Sequence, residues 1–208
     1  MIEREEFKFP FRINDAVDVH RFLAGLWMRP VHEMRTINSL YFDDETLDAH
    51  NMGEEGIVPR NKIRLRWYGG KQTDLMNATL EVKSTFAAHR TKRFIPFSSL
   101  LGLAKDDYFM PVREKILSRL LKPTVLVSYK RCYFQNPTGM RVTIDYGIHY
   151  SRCALNLNHK LTVLDQAIEQ ENVLEAKGET QKCRHMIQKS RLTWMRFSKY
   201  SRAINALG

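Results

Sequence analysis

The chain has 208 residues, 43% of them hydrophobic, with 33 Lys and Arg against 23 Asp and Glu and a formal net charge of +10. That apolar fraction supports a packed core and excludes wholesale disorder, and the length suits one domain over residues 1–208. The positive excess favours polyanionic partners (nucleic acid, anionic lipid, nucleotides or polyphosphate) without choosing among them.

Cys132, Cys153 and Cys183 are odd in number and show no CxxC spacing, so reduced thiols are expected rather than a zinc site or disulfide framework. The charged start, Met1 to Glu6, does not read as a secretory signal, and no apolar run approaches the ~20 residues that cross a bilayer. A cytoplasmic location is the expectation.

In chain order, Arg4 to Arg12 predicts a strand. A helix follows, with Asn14 as N-cap, Val17, Phe22, Leu23 and Leu26 as its apolar stripe, and Pro30 as its stop. Thr36 to Phe42 predicts a strand, Asp43 to Met52 an irregular or short helical excursion, where a turn role for Asp43 and Asp44 is favoured over metal binding, and Glu54 to Pro59 a loop. Lys62 to Tyr68 and Ala78 to Ser84 predict a hairpin turning at Gly69-Gly70, and Thr91 to Phe97 a further strand. Pro111 suits the first turn of a helix through Val112, Ile116, Leu117, Leu120 and Leu121, ended by Pro123. Val125 to Phe134 and Met140 to Tyr146 predict a second hairpin, Val173 to Lys177 a strand, and Gln181 to Leu207 a helix broken near Ser190 or Ser198.

Charge is patterned on these strands. Arg4, Glu6 and Lys8; Lys62, Arg64 and Arg66; Glu81 and Lys83; and Glu175 and Lys177 each lie two residues apart. Side chains at i and i+2 of a strand share a face, so each set builds a charged face opposite apolar neighbours such as Phe7, Ile63, Leu65, Val82 and Ala176. Many strands, few helices and one polar face predict an α+β fold: a closed antiparallel barrel with flanking helices. Such a face suits a ligand carrying several negative charges and a divalent metal. The seven His residues show no metal-ligand spacing.

The ordered motifs are RxExKF (Arg4 to Phe9), SLYFD (Ser39 to Asp43), RxKxRxRxY (Arg60 to Tyr68) and ExK (Glu81, Lys83). SYKR (Ser128 to Arg131), RVTID (Arg141 to Asp145), LExK (Leu174 to Lys177) and FSKY (Phe197 to Tyr200) follow. Over essentially its whole length the chain resembles the VTC domain, the polyphosphate-polymerase domain of the vacuolar transporter chaperone complex, in its bacterial stand-alone form. That family sits with the CYTH-like triphosphate tunnel metalloenzymes, so the resemblance implies a tunnel of about eight antiparallel strands. It implies transfer of the terminal phosphoryl group of ATP onto polyphosphate, with Mn2+ or Mg2+. The phosphate-holding cations it implies are Lys8, Arg64, Arg66, Lys83, Arg131, Arg141 and Lys199, joined by Lys62, Lys177 and, in a loosely matched stretch, Lys92 or Arg93. Glu81 would line the same face, Tyr129 and Ser198 would add hydrogen bonds to phosphate, and Glu175 with Glu6 would hold the metal.

Two departures stand out. Arg4 replaces the first Glu of the wider ExExK signature, which weakens the metal role of the first strand. The 208 residues include neither the SPX domain nor the membrane segments that accompany the eukaryotic domain, so coupling of synthesis to translocation is not expected of this chain alone; association with a separate membrane protein stays open. The expected partners are ATP and inorganic polyphosphate or triphosphate, not nucleic acid. If water were the acceptor, Glu6 or Glu81 would serve as base and the protein would be a tri- or polyphosphatase. A non-catalytic polyphosphate-binding module remains a third alternative, and nucleic-acid binding through Trp67 and Tyr68 a weaker one.

Overall fold

A computed structural model describes residues 4–70, 75, 77–87, 89–97, 110–118, 120–155, 161–179 and 191–208. Its elements run β1 (Arg4–Phe11), α1 (Ala16–Gly25), β2 (Arg29–Asp43), α2 (Asp48–Glu55), β3 (Arg60–Tyr68), β4 (Thr79–Phe86) and β5 (His89–Pro96). They continue with α3 (Met110–Leu117), β6 (Lys122–Gln135), β7 (Arg141–Leu155), β8 (Leu161–Ile168), β9 (Asn172–Glu179) and α4 (Lys199–Leu207). The strands form a mostly antiparallel sheet in the order β1-β9-β7-β6-β2-β3-β4-β5, with β8 paired to β7 off this path. The sequence predicts about eight strands closed into a tunnel. The observed sheet has nine, and among the described residues its hydrogen-bonded path has two ends, β1 and β5.

By contacts the chain forms two compact units. The first comprises Met1–Thr36, Tyr129–Ile148 and Ile168–Ser198; the second comprises Ile37–Ser128, His149–Ala167 and Lys199–Gly208. Each has its own core. In the first, Phe9, Phe11, Val142, Leu174 and Ala176 from the strands pack with Val19 and Phe22 of α1, the Phe9 and Phe22 rings 5.8 Å apart. In the second, Leu40, Ile63, Leu65, Trp67, Leu80, Val82 and Leu126 form the centre, and Val112 and Ile116 of α3 pack against it. Strand alternation explains the core: in β3, Ile63, Leu65 and Trp67 are buried while Lys62, Arg64 and Arg66 between them are half-buried.

The structure corrects several boundaries. Asn14 lies inside a 3-10 turn (Ile13–Asp15), Asp15 takes the N-cap position of α1, and Val17 is 59% exposed instead of packed. Pro30 does not merely stop the helix; it is the second residue of β2, which begins well before Thr36. Residues 29–36 are exposed on both faces, so no apolar alternation marks them as strand. Helix α3 ends at Leu117, short of Leu121, and Pro123 falls within β6. Strand β7 continues past Tyr146 because Gly147, at φ 59°, bends the backbone without ending it. Strand β8, mostly exposed, is not anticipated by the sequence pattern.

The β6–β7 turn follows the expected chemistry. The Asn136 carboxamide oxygen accepts from the backbone N–H of Thr138 and Met140, and Gly139 takes φ 80°. Residues 191–198 are not helical, so the helix expected through them does not form there, and α4 begins at Lys199. The helix expected from Gln181 and the residues Cys183, His185 and Met186 lie outside the described residues. Among the described residues no helix is long and apolar enough to cross a membrane.

Leu65 is fully buried on the core side of β3, between the cations Arg64 and Arg66. Leu65→Ala is expected to lower the free energy of unfolding by about 3 kcal/mol, measured by urea denaturation.

Candidate functional site

In the second unit, the antiparallel register lines up charged residues strand by strand. Lys62 of β3 lies opposite Lys83 of β4, which lies opposite Lys92 of β5. The next row is Tyr41 of β2, Arg64, Glu81 and Phe94. The third is Ser39, Arg66, Thr79 and Pro96. Directly opposed residues share a face, so five cations meet one carboxylate on β3, β4 and β5.

Glu81 is the hub of this face. Its Oε2 accepts from Arg64 Nε at 2.7 Å and pairs with Arg64 Nη2 at 2.6 Å, while Arg66 Nη1 stands 3.8 Å away. Its Oε1 accepts from Lys92 Nζ at 2.9 Å. Burial pushes the Glu81 carboxyl up, but the Arg64 and Arg66 charges and the Lys92 and Arg64 hydrogen bonds outweigh it and lower its pKa to about 2.

Strand β2 supplies hydroxyls beneath the two arginines. Ser39 Oγ accepts from Arg66 Nε at 3.1 Å, and the Tyr41 hydroxyl accepts from Arg64 Nη1 at 3.1 Å. The Tyr41 ring stacks on Tyr200 of α4 at 4.9 Å and 20°, and Lys62 Nζ lies 5.7 Å from the Tyr200 ring centroid. The Tyr200 hydroxyl donates to Asp43, which also accepts the backbone N–H groups of Ala49 and His50 at the start of α2. Asp43 is thus the turn residue expected from sequence, with the added task of seating Tyr200. Lys199 opens α4 one position before Tyr200, and its charge is felt at Tyr41.

The first unit carries its own charged face. Glu6 of β1 lies opposite Lys177 of β9, itself opposite Arg141 of β7; Lys8 lies opposite Glu175, itself opposite Thr143. Lys177 Nζ reaches Glu175 Oε1 at 2.5 Å and Glu6 Oε2 at 3.4 Å, and Lys8 Nζ reaches Glu6 Oε1 at 3.4 Å. Lys8 Nζ also donates to the Phe197 carbonyl at 3.0 Å, which ties β1 to the segment ending at Ser198. Burial raises the Glu175 carboxyl, but the charges of Lys177, Lys8 and Arg131 prevail and lower it to about 2. Burial of Lys177 works the other way, yet Glu175 and Glu6 hold its pKa above the ordinary value.

Arg131 is the best-anchored cation of this unit. Its Nε and Nη2 donate to the two oxygens of fully buried Asp145 at 2.5 and 2.7 Å, and its guanidinium stands 5.3 Å from the Tyr129 ring centroid. Burial alone lowers its pKa; the Asp145 hydrogen bond reverses this and leaves it raised. Two donors of the fork, Nε and Nη2, are therefore committed to Asp145.

The expected residues thus fall into two groups: Lys62, Arg64, Arg66, Glu81, Lys83, Lys92 and Lys199 in the second unit, and Glu6, Lys8, Tyr129, Arg131, Arg141, Glu175, Lys177 and Ser198 in the first. Ser39, Tyr41 and Asp145, which orient the arginines, are not singled out as site residues by the sequence. The signal for the first two was their i, i+2 spacing within SLYFD, the same rule that located the cations.

Among the described residues no group of three His, Cys, Asp or Glu gathers to hold a metal ion. Glu175 and Glu6 supply hard oxygen donors that Lys177 and Lys8 hold, so a divalent cation there would compete with both ammonium groups. Both converge on Lys177, Glu175 is ionised throughout the neutral range, and magnesium commonly takes one or two carboxylates with waters and substrate phosphates completing the shell.

Removing the Glu81 charge leaves its cations facing one another. Glu81→Gln is expected to cost about 3 kcal/mol of stability at neutral pH. Because the folded carboxyl lies below its ordinary 4.5, that difference is complete above pH 4.5 and vanishes as pH falls through about 2. Denaturant titrations of both proteins across pH 2–7 measure it.

Comparison with curated proteins gives no match. The fold is similar to that of a proposed adenylate cyclase from Vibrio parahaemolyticus, with TM-score 0.53, 13% identity and 98% of each chain covered. It is similar to a protein from Pyrococcus horikoshii, with TM-score 0.52, 12% identity and 98% of this chain and 99% of that one covered. A proposed adenylyl cyclase from Hippeastrum, described as having a dominant triphosphatase activity, gives TM-score 0.51 and 9% identity over 97% of this chain and 96% of its own. At such identities the likeness shows the fold alone. The family model of the VTC domain, however, matches residues 3–101 and 103–208, which include every position that carries the two charged faces, and the chain belongs to the VTC domain family.

Proposed function

We propose that this chain transfers the terminal phosphoryl group of ATP onto a polyphosphate chain. The observation that carries this reading is the row Lys62–Lys83–Lys92, three cations opposed across three neighbouring strands beside Arg64 and Arg66. Like charges placed opposite one another destabilise a sheet. A face that keeps such a row suits a ligand whose negative charges are linked and closely spaced. Two unit charges 4 Å apart interact by up to ~4 kcal/mol at an effective dielectric near 20, before desolvation, so several contacts outweigh the repulsion of the empty face. Membership of the VTC domain family supports the same substrate class.

The residues divide the work by their chemistry. Arg64 and Arg66, held by Glu81, Tyr41 and Ser39, present planar forks to phosphate oxygens, while Lys83, Lys92, Lys62 and Lys199 add mobile point charges. In the first unit Lys8, Arg131, Arg141 and Lys177 do the same, with Tyr129 and Ser198 as hydrogen-bonding groups. Glu175 and Glu6 are the carboxylates that would hold Mg2+ or Mn2+, which when bound neutralises charge on the phosphoryl group being transferred. An acceptor that is itself a phosphate chain end needs no protein nucleophile.

The state of Glu81 weighs against one of the two bases that hydrolysis would use, the other being Glu6. A general base works best with a pKa near the operating pH, and Glu81, held near 2 by its cations, is far from that. Triphosphate hydrolysis, the activity described for the Hippeastrum protein of similar fold, is the second reading.

With labelled ATP and either metal, the expected products are ADP and a ladder of polyphosphate; orthophosphate alone indicates the hydrolase. Arg66→Ala is expected to reduce turnover at least ~100-fold, the loss typical of a phosphate-clamping cation, with the circular dichroism spectrum unchanged.

A further inference from the structure

The hydroxyl of Tyr41 occupies an unusual electrostatic position. It sits on β2 between Ser39 and Asp43, is 8% exposed, and accepts the hydrogen bond of Arg64 Nη1 at 3.1 Å. Its ring has one seat: it stacks on Tyr200, whose own hydroxyl is fixed on Asp43, and the Arg64 guanidinium lies 5.8 Å from the Tyr41 ring centroid. The charged groups around it come from four elements. Strand β3 contributes Lys62, Arg64 and Arg66; α4 contributes Lys199; β4 contributes Glu81, paired with Arg64; and β2 contributes Asp43, paired with Tyr200. His50 of α2 meets the far partner, Tyr200, edge-on at 6.0 Å.

We propose that Tyr41 is the positioning residue of Arg64 and that anion binding returns its phenolate to the protonated phenol, so the site takes up a proton as it fills with phosphate under mildly alkaline conditions. This rests on the phosphate-handling function proposed above. In the empty protein, burial pushes the phenol up, but the charges of Arg64, Arg66 and Lys199 and the Arg64 hydrogen bond pull it down to about 8. A phosphate chain seated on those same cations cancels their field, and the phenol returns toward its ordinary value near 10.

The sign follows from linkage. The filled site holds the phenol proton more tightly than the empty one, so binding takes up a proton between about pH 8 and pH 10. By reciprocity, affinity falls as pH rises through that window, and a recovery of two pKa units corresponds to a fall of up to ~100-fold. Physically, the phenolate is a competing anion: it pairs with Arg64 and must be protonated before that guanidinium is fully available to phosphate.

The test uses tripolyphosphate and the full chain. Tyr41→Phe keeps the stack on Tyr200 and removes only the hydroxyl. Calorimetric titration at pH 9 in two buffers of different ionisation enthalpy is expected to show the wild type taking up several tenths of a proton more per site than the variant. From pH 8 to 9.5 the wild-type affinity is expected to fall about tenfold further than that of Tyr41→Phe; the ligand's own last proton affects both equally. Phenolate absorbance of the free wild type near pH 8, missing in the variant, is expected to diminish on adding tripolyphosphate. Equal proton uptake with parallel affinity profiles overturns the role of Tyr41 and leaves the phosphate-handling function standing. Failure of both proteins to bind tripolyphosphate at pH 7 overturns both.

Discussion

Glu81 holds together a face that electrostatics alone would drive apart. Strand alternation sends Lys62, Arg64 and Arg66 to one side of β3, and antiparallel register sets Lys83 and Lys92 beside them. A single carboxylate, 6% exposed, then receives Arg64, Lys92 and the nearby charge of Arg66. Its desolvation is the opposing cost, and the lowered carboxyl shows that the cations win. The arginines are consequently fixed in direction before any ligand arrives, which removes part of the ordering cost of binding.

The first unit solves the same problem with different parts. Two carboxylates, Glu6 and Glu175, share Lys177 and Lys8, and a third, Asp145, holds Arg131 through both its oxygens. Asp145 is fully buried, so this fork–carboxylate pair survives only because both oxygens and two guanidinium nitrogens are matched. In both units, apolar residues on the reverse of the charged strands form the core: Ile63, Leu65 and Trp67 in one, Phe9, Leu174 and Ala176 in the other. Core and charged face are two sides of one alternating pattern.

That pattern is why so much could be read from the residues. The i, i+2 spacing of Lys62, Arg64 and Arg66 names both the strand and the side it presents, and the hairpin at Asn136 to Gly139 carries its own turn chemistry. What alternation does not encode was missed. Strand β8 and the exposed start of β2 have no buried side to mark them, and the end of α3 is hidden because Leu120 and Leu121 continue an apolar pattern after the helix has stopped. Partnerships between elements far apart in the chain, such as Tyr200 with Asp43, depend on the tertiary arrangement, which no local window contains.

The lysine row also gives ionic strength two opposing actions. Screening weakens the repulsion among Lys62, Lys83 and Lys92, set opposite one another, and it weakens the Lys92–Glu81 pair as well. Added electrolyte therefore sets two effects against each other in the apoprotein but acts in one direction on a bound polyanion, whose hold it loosens.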